Sequence, residues 1–196
     1  MSLEEIAKKM CAKGRGILAA DESTGTMDKR LKSVGVESTE KNRLHFRETL
    51  FTADGMKDYI GGVILFDETI RQKIHSGISV PELLEKNNSV VGIKVDKGAK
   101  QLAGSPEETI TEGLDGLRER LNEYYKLGAR FTKWRAVYKI GSKKPSAQSI
   151  KSNAHALARY AAIVQEANMV PIVEPEILMD GDHDIDVCYK VTTNVL

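Results

Sequence analysis

The chain has 196 residues, 41% hydrophobic and 29% charged, which suits a folded domain or a large part of one and argues against disorder. Its 29 basic and 28 acidic side chains leave a formal charge of +1, so it offers no broad basic field to nucleic acid or an anionic membrane, and the expected partner is a small molecule. No apolar run approaches the length of a membrane span, and MSLEEIAKKM carries acids where a signal peptide would carry its basic and apolar regions, so a cytoplasmic location is expected.

From the N-terminus, Leu3, Ile6, Ala7 and Met10 fall at i, i+3, i+4 and i+7 and predict a short amphipathic helix. Segments 16–21, 62–66, 90–96, 131–140 and 170–177, rich in Val, Ile and Gly, predict five strands. Between the third and fourth, Leu114, Leu117, Leu121 and Tyr125 predict a helix stopped by Gly128. Between the fourth and fifth, Ile150, Ala154, Leu157, Ala161 and Val164 predict another, running from an N-cap at Ser146 to Asn168. GSPEET and IGSKKPSA read as turn-rich loops within one domain, residues 1–196. Cys11 and Cys188 are far apart with no partnering spacing and are expected to be buried, reduced thiols.

Apolar strands alternating with helices imply a parallel sheet covered by helices, as in a doubly wound sheet or a (β/α)8 barrel. A complete barrel takes about 250 residues. Five strands and a final segment that reads as a helix therefore lead us to expect a truncated chain.

Three strands carry charges at spacing two: Lys94 with Asp96, Lys133 with Arg135, and Glu174 with Glu176. Each pair projects from one face of its strand. Burying an unpaired charge costs several kcal/mol, so the six must neutralise one another or meet a ligand. They lie toward the C-terminal strand ends, where barrels and open α/β sheets place their chemistry, and Asp21 ends the first strand likewise. A salt-bridge network that only sets register is the plain alternative, and three repeats plus Asp21 favour function. Such a cluster suits carbonyl chemistry on a sugar phosphate. Ser23, Thr24, Gly25 and Thr26 follow Asp21 and open a helix through Lys29 and Arg30, an ordinary N-cap or a phosphate cradle.

Asp180, Asp182, His183 and Asp184 could suggest a metal site, but acids before a helix are usually caps. No metal or cofactor is expected. His45, His75 and His155 lack a nucleophile partner, and alternation turns Trp134 outward as packing.

GILAADES (16–23), GGVILF (61–66), GIKVDKG (92–98), KWR (133–135) and VPIVEPEIL (170–178) together resemble class I fructose-1,6-bisphosphate aldolase in order and spacing over essentially the whole chain. The resemblance implies the first five strand-helix units of a (β/α)8 TIM barrel. It implies that Asp21 handles the C4 hydroxyl proton, that Lys94 and Lys133 bind and polarise substrate, that Glu174 is the acid/base of Schiff-base formation, and that Glu176 holds Lys133. By the same resemblance Arg135 contacts a phosphate or hydroxyl, Ser23 and Thr26 the far phosphate, and Arg30 and Arg43 are further substrate-binding candidates. Thr26 stands where the family leads us to expect serine, and a hydroxyl survives.

The family's Schiff-base lysine sits on a sixth strand and its other phosphate loops on later ones, so residues 1–196 alone are expected to turn over little. The resemblance further implies no cofactor, a sugar bisphosphate as partner and a homotetramer when complete. Another phosphosugar barrel enzyme, or a non-catalytic binding protein, are the rival readings.

Overall fold

The apolar segments become strands in the computed structural model, which describes residues 1–196. In chain order these are β1 (Gly16–Ala20), β2 (Ile60–Leu65), β3 (Val90–Lys94), a short pair β4 (Ala99–Gln101) and β5 (Thr109–Thr111), then β6 (Phe131–Tyr138) and β7 (Val170–Ile177). The helices are α1 (Leu3–Met10), α2 (Thr24–Ser33), α3 (Glu40–Phe51), α4 (Met56–Tyr59), α5 (Asp67–Ile70), α6 (Val80–Lys86), α7 (Leu117–Lys126), α8 (Ala147–Glu166) and α9 (Ile185–Val195).

Five strands form one parallel sheet in the order β1-β2-β3-β6-β7. Spatial order follows chain order without reversal. A doubly wound sheet reverses at a switch point, so this winding selects the barrel from the two architectures open to the sequence. The arc is a parallel half-barrel of five strands with their helices.

Period-two alternation gives the sheet two unlike faces. Val63, Leu65, Val91, Ile93, Trp134 and Ala136 point outward into a cluster of 24 buried residues that includes Leu84, Leu121 and Tyr160 from the covering helices. Inside the arc only Ile64, Val90 and Phe131 are apolar and buried, and α1 lays Ile6 and Met10 against them. Most apolar burial thus lies outside the sheet, and the upper interior is left to charge. Close approach fixes two glycines here: a Cβ at Gly92 would stand 2.2 Å from the Phe131 ring, and one at Gly61 would stand 2.3 Å from the Met10 carbonyl oxygen. Neither strand could carry a side chain there without moving α1 or Phe131.

GSPEET is a turn-rich loop as expected through Glu108, and it joins an antiparallel ribbon, Ala99 opposite Thr111 and Gln101 opposite Thr109, whose three-residue strands are too short to show a period in the sequence. Several expectations are corrected. Leu114 precedes α7, and the helix buries Leu117, Leu121 and Tyr124 while Tyr125 stays exposed. Along α8 the covered stripe is Ser149, Asn153, Ala156, Leu157, Tyr160, Ile163 and Val164, so Ala154 faces out. Asn153 belongs inside because its side-chain amide donates to the Thr109 carbonyl and its Oδ1 accepts from the Thr111 amide, which ties α8 to the ribbon. Ser146 does cap α8, accepting from the Ser149 amide at 3.2 Å. The cysteines are free but not buried: Cys11 is exposed as the C-cap of α1, and Cys188 is half-exposed on α9, which buries no residue.

Candidate active site

Lys133 stands at the centre of the charged layer. Its Nζ lies 2.9 Å from Asp21 Oδ2 and 3.4 Å from Glu174 Oε2, so one ammonium bridges the C-terminal ends of β1 and β7 across the concave face. Register explains the second contact. Lys133 is paired with Ile172, and Glu174 is the next residue of β7 on the same face. The same offset carries Arg135, paired with Glu174, to Glu176, whose Oε2 accepts from the guanidinium at 2.8 Å.

The expectation that Glu176 holds Lys133 is therefore corrected: Glu176 holds Arg135, and Lys133 is held by Asp21 and Glu174. Lys94 is paired with Lys133 across β3 and β6, and its Nζ approaches Asp96 Oδ1 at 3.6 Å. Asp96 in turn accepts from the Gly98 amide at 3.0 Å and faces the Arg135 amide at 3.4 Å.

Burial alone would lower the pKa of Lys133, but the charges of Asp21 and Glu174 and their hydrogen bonds outweigh it and raise it above the ordinary lysine value. Lys133 is accordingly an ammonium at neutral pH. A lysine nucleophile needs the opposite shift.

Around this centre lies a cavity of about 210 Å³ lined by Ala19, Asp21, Glu22, Ser23, Thr26, Arg30, Lys94, Lys133 and Arg135. Four lining residues are basic and two acidic, so the cavity favours an anion. Ser23 serves as N-cap of α2, accepting from the Thr26 amide at 3.3 Å, and the two hydroxyls are 3.1 Å apart. Cap and cavity wall are thus the same residues. The N-terminus of this ten-residue helix opens toward the cavity with no acid in its first turn.

Not every candidate arrives. Arg43 lies on α3, away from the cavity, where its Nε donates to Glu68 at 2.9 Å and its other nitrogens reach Glu68 and the Ser38 carbonyl. Its neighbour one turn on, Arg47, is fully buried and donates to the Glu22 carbonyl at 2.6 Å and to Thr69 Oγ1 at 2.9 Å.

Arg47 and Glu22 carry the cavity wall, yet neither stands out in the sequence. The available signal is that Arg43, Arg47 and Phe51 recur at spacing four, which is the buried face of α3. Trp134 is buried outside the sheet as expected, its ring centroid 5.3 Å from that of Tyr160. Tyr160 also braces the site from behind: its hydroxyl bonds Thr132 Oγ1 at 2.6 Å and donates to the Ile172 carbonyl at 3.2 Å, joining β6 to β7 beside Lys133.

The histidines lie elsewhere. His45 and His75 line a wider groove of about 670 Å³ beside α3, and His155 lines another with Lys97 and Arg159. Asp184 caps α9, accepting from the Val187 amide at 2.9 Å, and no group of three or more His, Cys, Asp or Glu side chains is arranged to hold a metal ion. No helix is long and apolar enough to cross a membrane.

Comparison with known proteins gives a consistent family. A model described as fructose-bisphosphate aldolase class-I matches residues 2–196. The probable fructose-bisphosphate aldolase class 1 of Xanthomonas campestris is 58% identical over 194 residues, covering 99% of this chain and 58% of the relative. The cytosolic fructose-bisphosphate aldolase 5 of Arabidopsis thaliana is 56% identical, over 99% of this chain and 54% of its own. Among solved structures, fructose-bisphosphate aldolase from Plasmodium falciparum, in complex with TRAP and a small-molecule inhibitor, superposes with a TM-score of 0.96 at 50% identity, covering 98% of this chain and 56% of that one. The chain spans little more than half the length of these relatives.

Proposed function

The chain belongs to the class-I fructose-bisphosphate aldolase family, and on that premise we propose that it supplies the substrate-binding and proton-handling half of an enzyme that splits fructose 1,6-bisphosphate into dihydroxyacetone phosphate and glyceraldehyde 3-phosphate. The observation that carries this reading is Lys133 bridging Asp21 and Glu174 beside a cavity with a surplus of positive charge.

Aldol cleavage needs a base for the C4 hydroxyl proton as the C3–C4 bond breaks, and in this reading Asp21 takes that proton; its ion pair with Lys133 supports the reading by keeping the carboxylate charged. Glu174 exchanges protons with the carbinolamine oxygen as the Schiff base forms. Its Oε2 contacts Lys133 Nζ at 3.4 Å, a long contact that a substrate oxygen can share. Lys94 and Arg135 hold substrate oxygens, with Glu176 orienting Arg135. Ser23, Thr26 and Arg30 take a phosphate. Arg43 has no part, because Glu68 and Ser38 occupy it.

Lys133 is an ammonium and Lys94 lies beside Asp96, so the Schiff-base lysine is assigned to neither but to the part of the relatives that this chain does not span. Residues 1–196 on their own then bind but turn over little. The reading extends to one domain in these residues, a cytoplasmic location and a homotetrameric assembly.

Borohydride trapping in the presence of fructose 1,6-bisphosphate tests the assignment. Residues 1–196 are expected to remain unlabelled, and in a polypeptide of the relatives' length the label falls outside them. Label on Lys94 or Lys133 would contradict it.

A further inference from the structure

Five charges alternate in a line from the cavity rim to the interior: Arg30, Glu22, Arg47, Glu68, Arg43. Glu22 Oε1 is ion-paired to the Arg30 guanidinium, and Glu22 Oε2 lies 3.8 Å from Arg47. Arg47 lies 3.8 Å from Glu68, and Glu68 pairs with Arg43. Exposure falls over the first three, from 55% for the Arg30 side chain to 12% for Glu22 and none for Arg47, so the buried midpoint of the line is Arg47. Glu22 and Arg30 both line the cavity, so a carboxylate already holds the cation that faces incoming anions.

We propose that Glu22 is a built-in competitor for the anion of this cavity, so that ligand binding is an exchange in which phosphate displaces Glu22 from Arg30 while Arg47 retains the displaced carboxylate. The inference rests on the phosphate-binding reading of the cavity given above.

Three features support exchange over simple attraction. Arg30 makes no side-chain hydrogen bond other than the one to Glu22, so nothing else holds it back. Glu22 cannot follow it, because Arg47 donates to the Glu22 backbone carbonyl and is itself locked by Thr69 Oγ1. The carboxylate keeps a buried counter-charge after Arg30 leaves, so release strands no unpaired charge.

The consequence is selectivity. A phosphate carries about −1.5 to −2 near neutral pH and overcomes a single carboxylate, whereas a monoanion of ordinary strength gains little by the exchange. The cavity is thereby kept from filling with the monoanions that outnumber any sugar phosphate.

Isothermal titration of inorganic phosphate into the full chain tests this with the parent, Glu22→Gln and the pair of variants Arg30→Met and Arg30→Met/Glu22→Gln. Glu22→Gln leaves Arg47 its two hydrogen bonds and its Glu68 partner, and thermal melts check that it folds. Glu22→Gln is expected to bind phosphate about three- to fivefold tighter than the parent, the size of a part-exposed ion pair. In the Arg30→Met background the same change is expected to gain clearly less, since no cation is left to compete for.

A folded Glu22→Gln that binds phosphate equally or more weakly than a binding parent overturns the exchange and leaves the phosphate reading standing. An equal gain with and without Arg30 also overturns it, since charge repulsion alone would then account for the effect. Phosphate binding by Glu22→Gln but not by the parent supports exchange in its strongest form. Binding by neither overturns both readings together.

Discussion

Lys133 Nζ meets Asp21 Oδ2 at 2.9 Å although β2 and β3 separate the strands that carry them. A flat sheet would hold the two strands about 14 Å apart, three spacings of roughly 4.8 Å. A long side chain closes that distance only across a curved interior, so this ion pair is both a measure of barrel curvature and a brace for it. Replacing Lys133 by Met leaves the buried Asp21 carboxylate without its cation, facing the part-exposed Glu174 carboxylate. We expect a loss of about 3 kcal/mol in urea unfolding at pH 8. Because the folded pKa of Lys133 is raised, its contribution is complete below the unfolded value of about 10.4 and fades as pH rises through the folded value. The gap between parent and variant should therefore hold from pH 7 to 9 and narrow in stronger alkali.

Gly92→Ala is expected to cost about 2 kcal/mol or more, because its Cβ would enter the Phe131 ring. Phe131→Leu in the same chain makes room and should recover part of the loss. An additive double variant in thermal unfolding would show that the ring is not the obstacle.

Arg30 and Arg43 separate ligand binding from architecture. Arg30→Met is expected to weaken fructose 1,6-bisphosphate binding about tenfold, the worth of one charged hydrogen bond. Arg43→Met leaves Glu68 only its looser contact with Arg47 at 3.8 Å and should lower the melting temperature while leaving affinity within a factor of two.

Glu108 makes the ribbon acid-sensitive. Burial pushes its carboxyl up, but the Ser146 hydroxyl and amide, with Ser105, hold it below its ordinary value. The Ser146 amide donates to it at 2.7 Å. Stability from a lowered carboxylate is present above the unfolded value of about 4.3 and lost as pH falls through the folded one. Glu108→Gln should cost about 1.5 kcal/mol at pH 7, and the difference should close below pH 4.

The five main strands were legible because apolar runs bounded by turns repeat with helices between them, and the charged layer because lysine, arginine and glutamate recur at spacing two in strands that a parallel sheet would bury. Partners were not legible. Whether Glu174 or Glu176 meets Lys133 depends on a two-residue offset between β6 and β7, which no pattern within one strand records. Arg43 became a substrate-binding candidate through the family resemblance, and its pairing with Glu68, 25 residues away, is a product of the fold that no local pattern records. Glu22 and Arg47 escaped notice for the same reason: 25 residues separate them, and their meeting is a product of the fold.

The account stands most directly on titration of fructose 1,6-bisphosphate into the protein and into Lys94→Met, a variant that removes a cavity cation whose only ion pair is a loose one at 3.6 Å. Binding by the parent, weakened tenfold or more in a Lys94→Met that melts like the parent, is the expected result. No binding by the parent, or equal binding by the two, would contradict the assignment of this charged layer to a sugar bisphosphate.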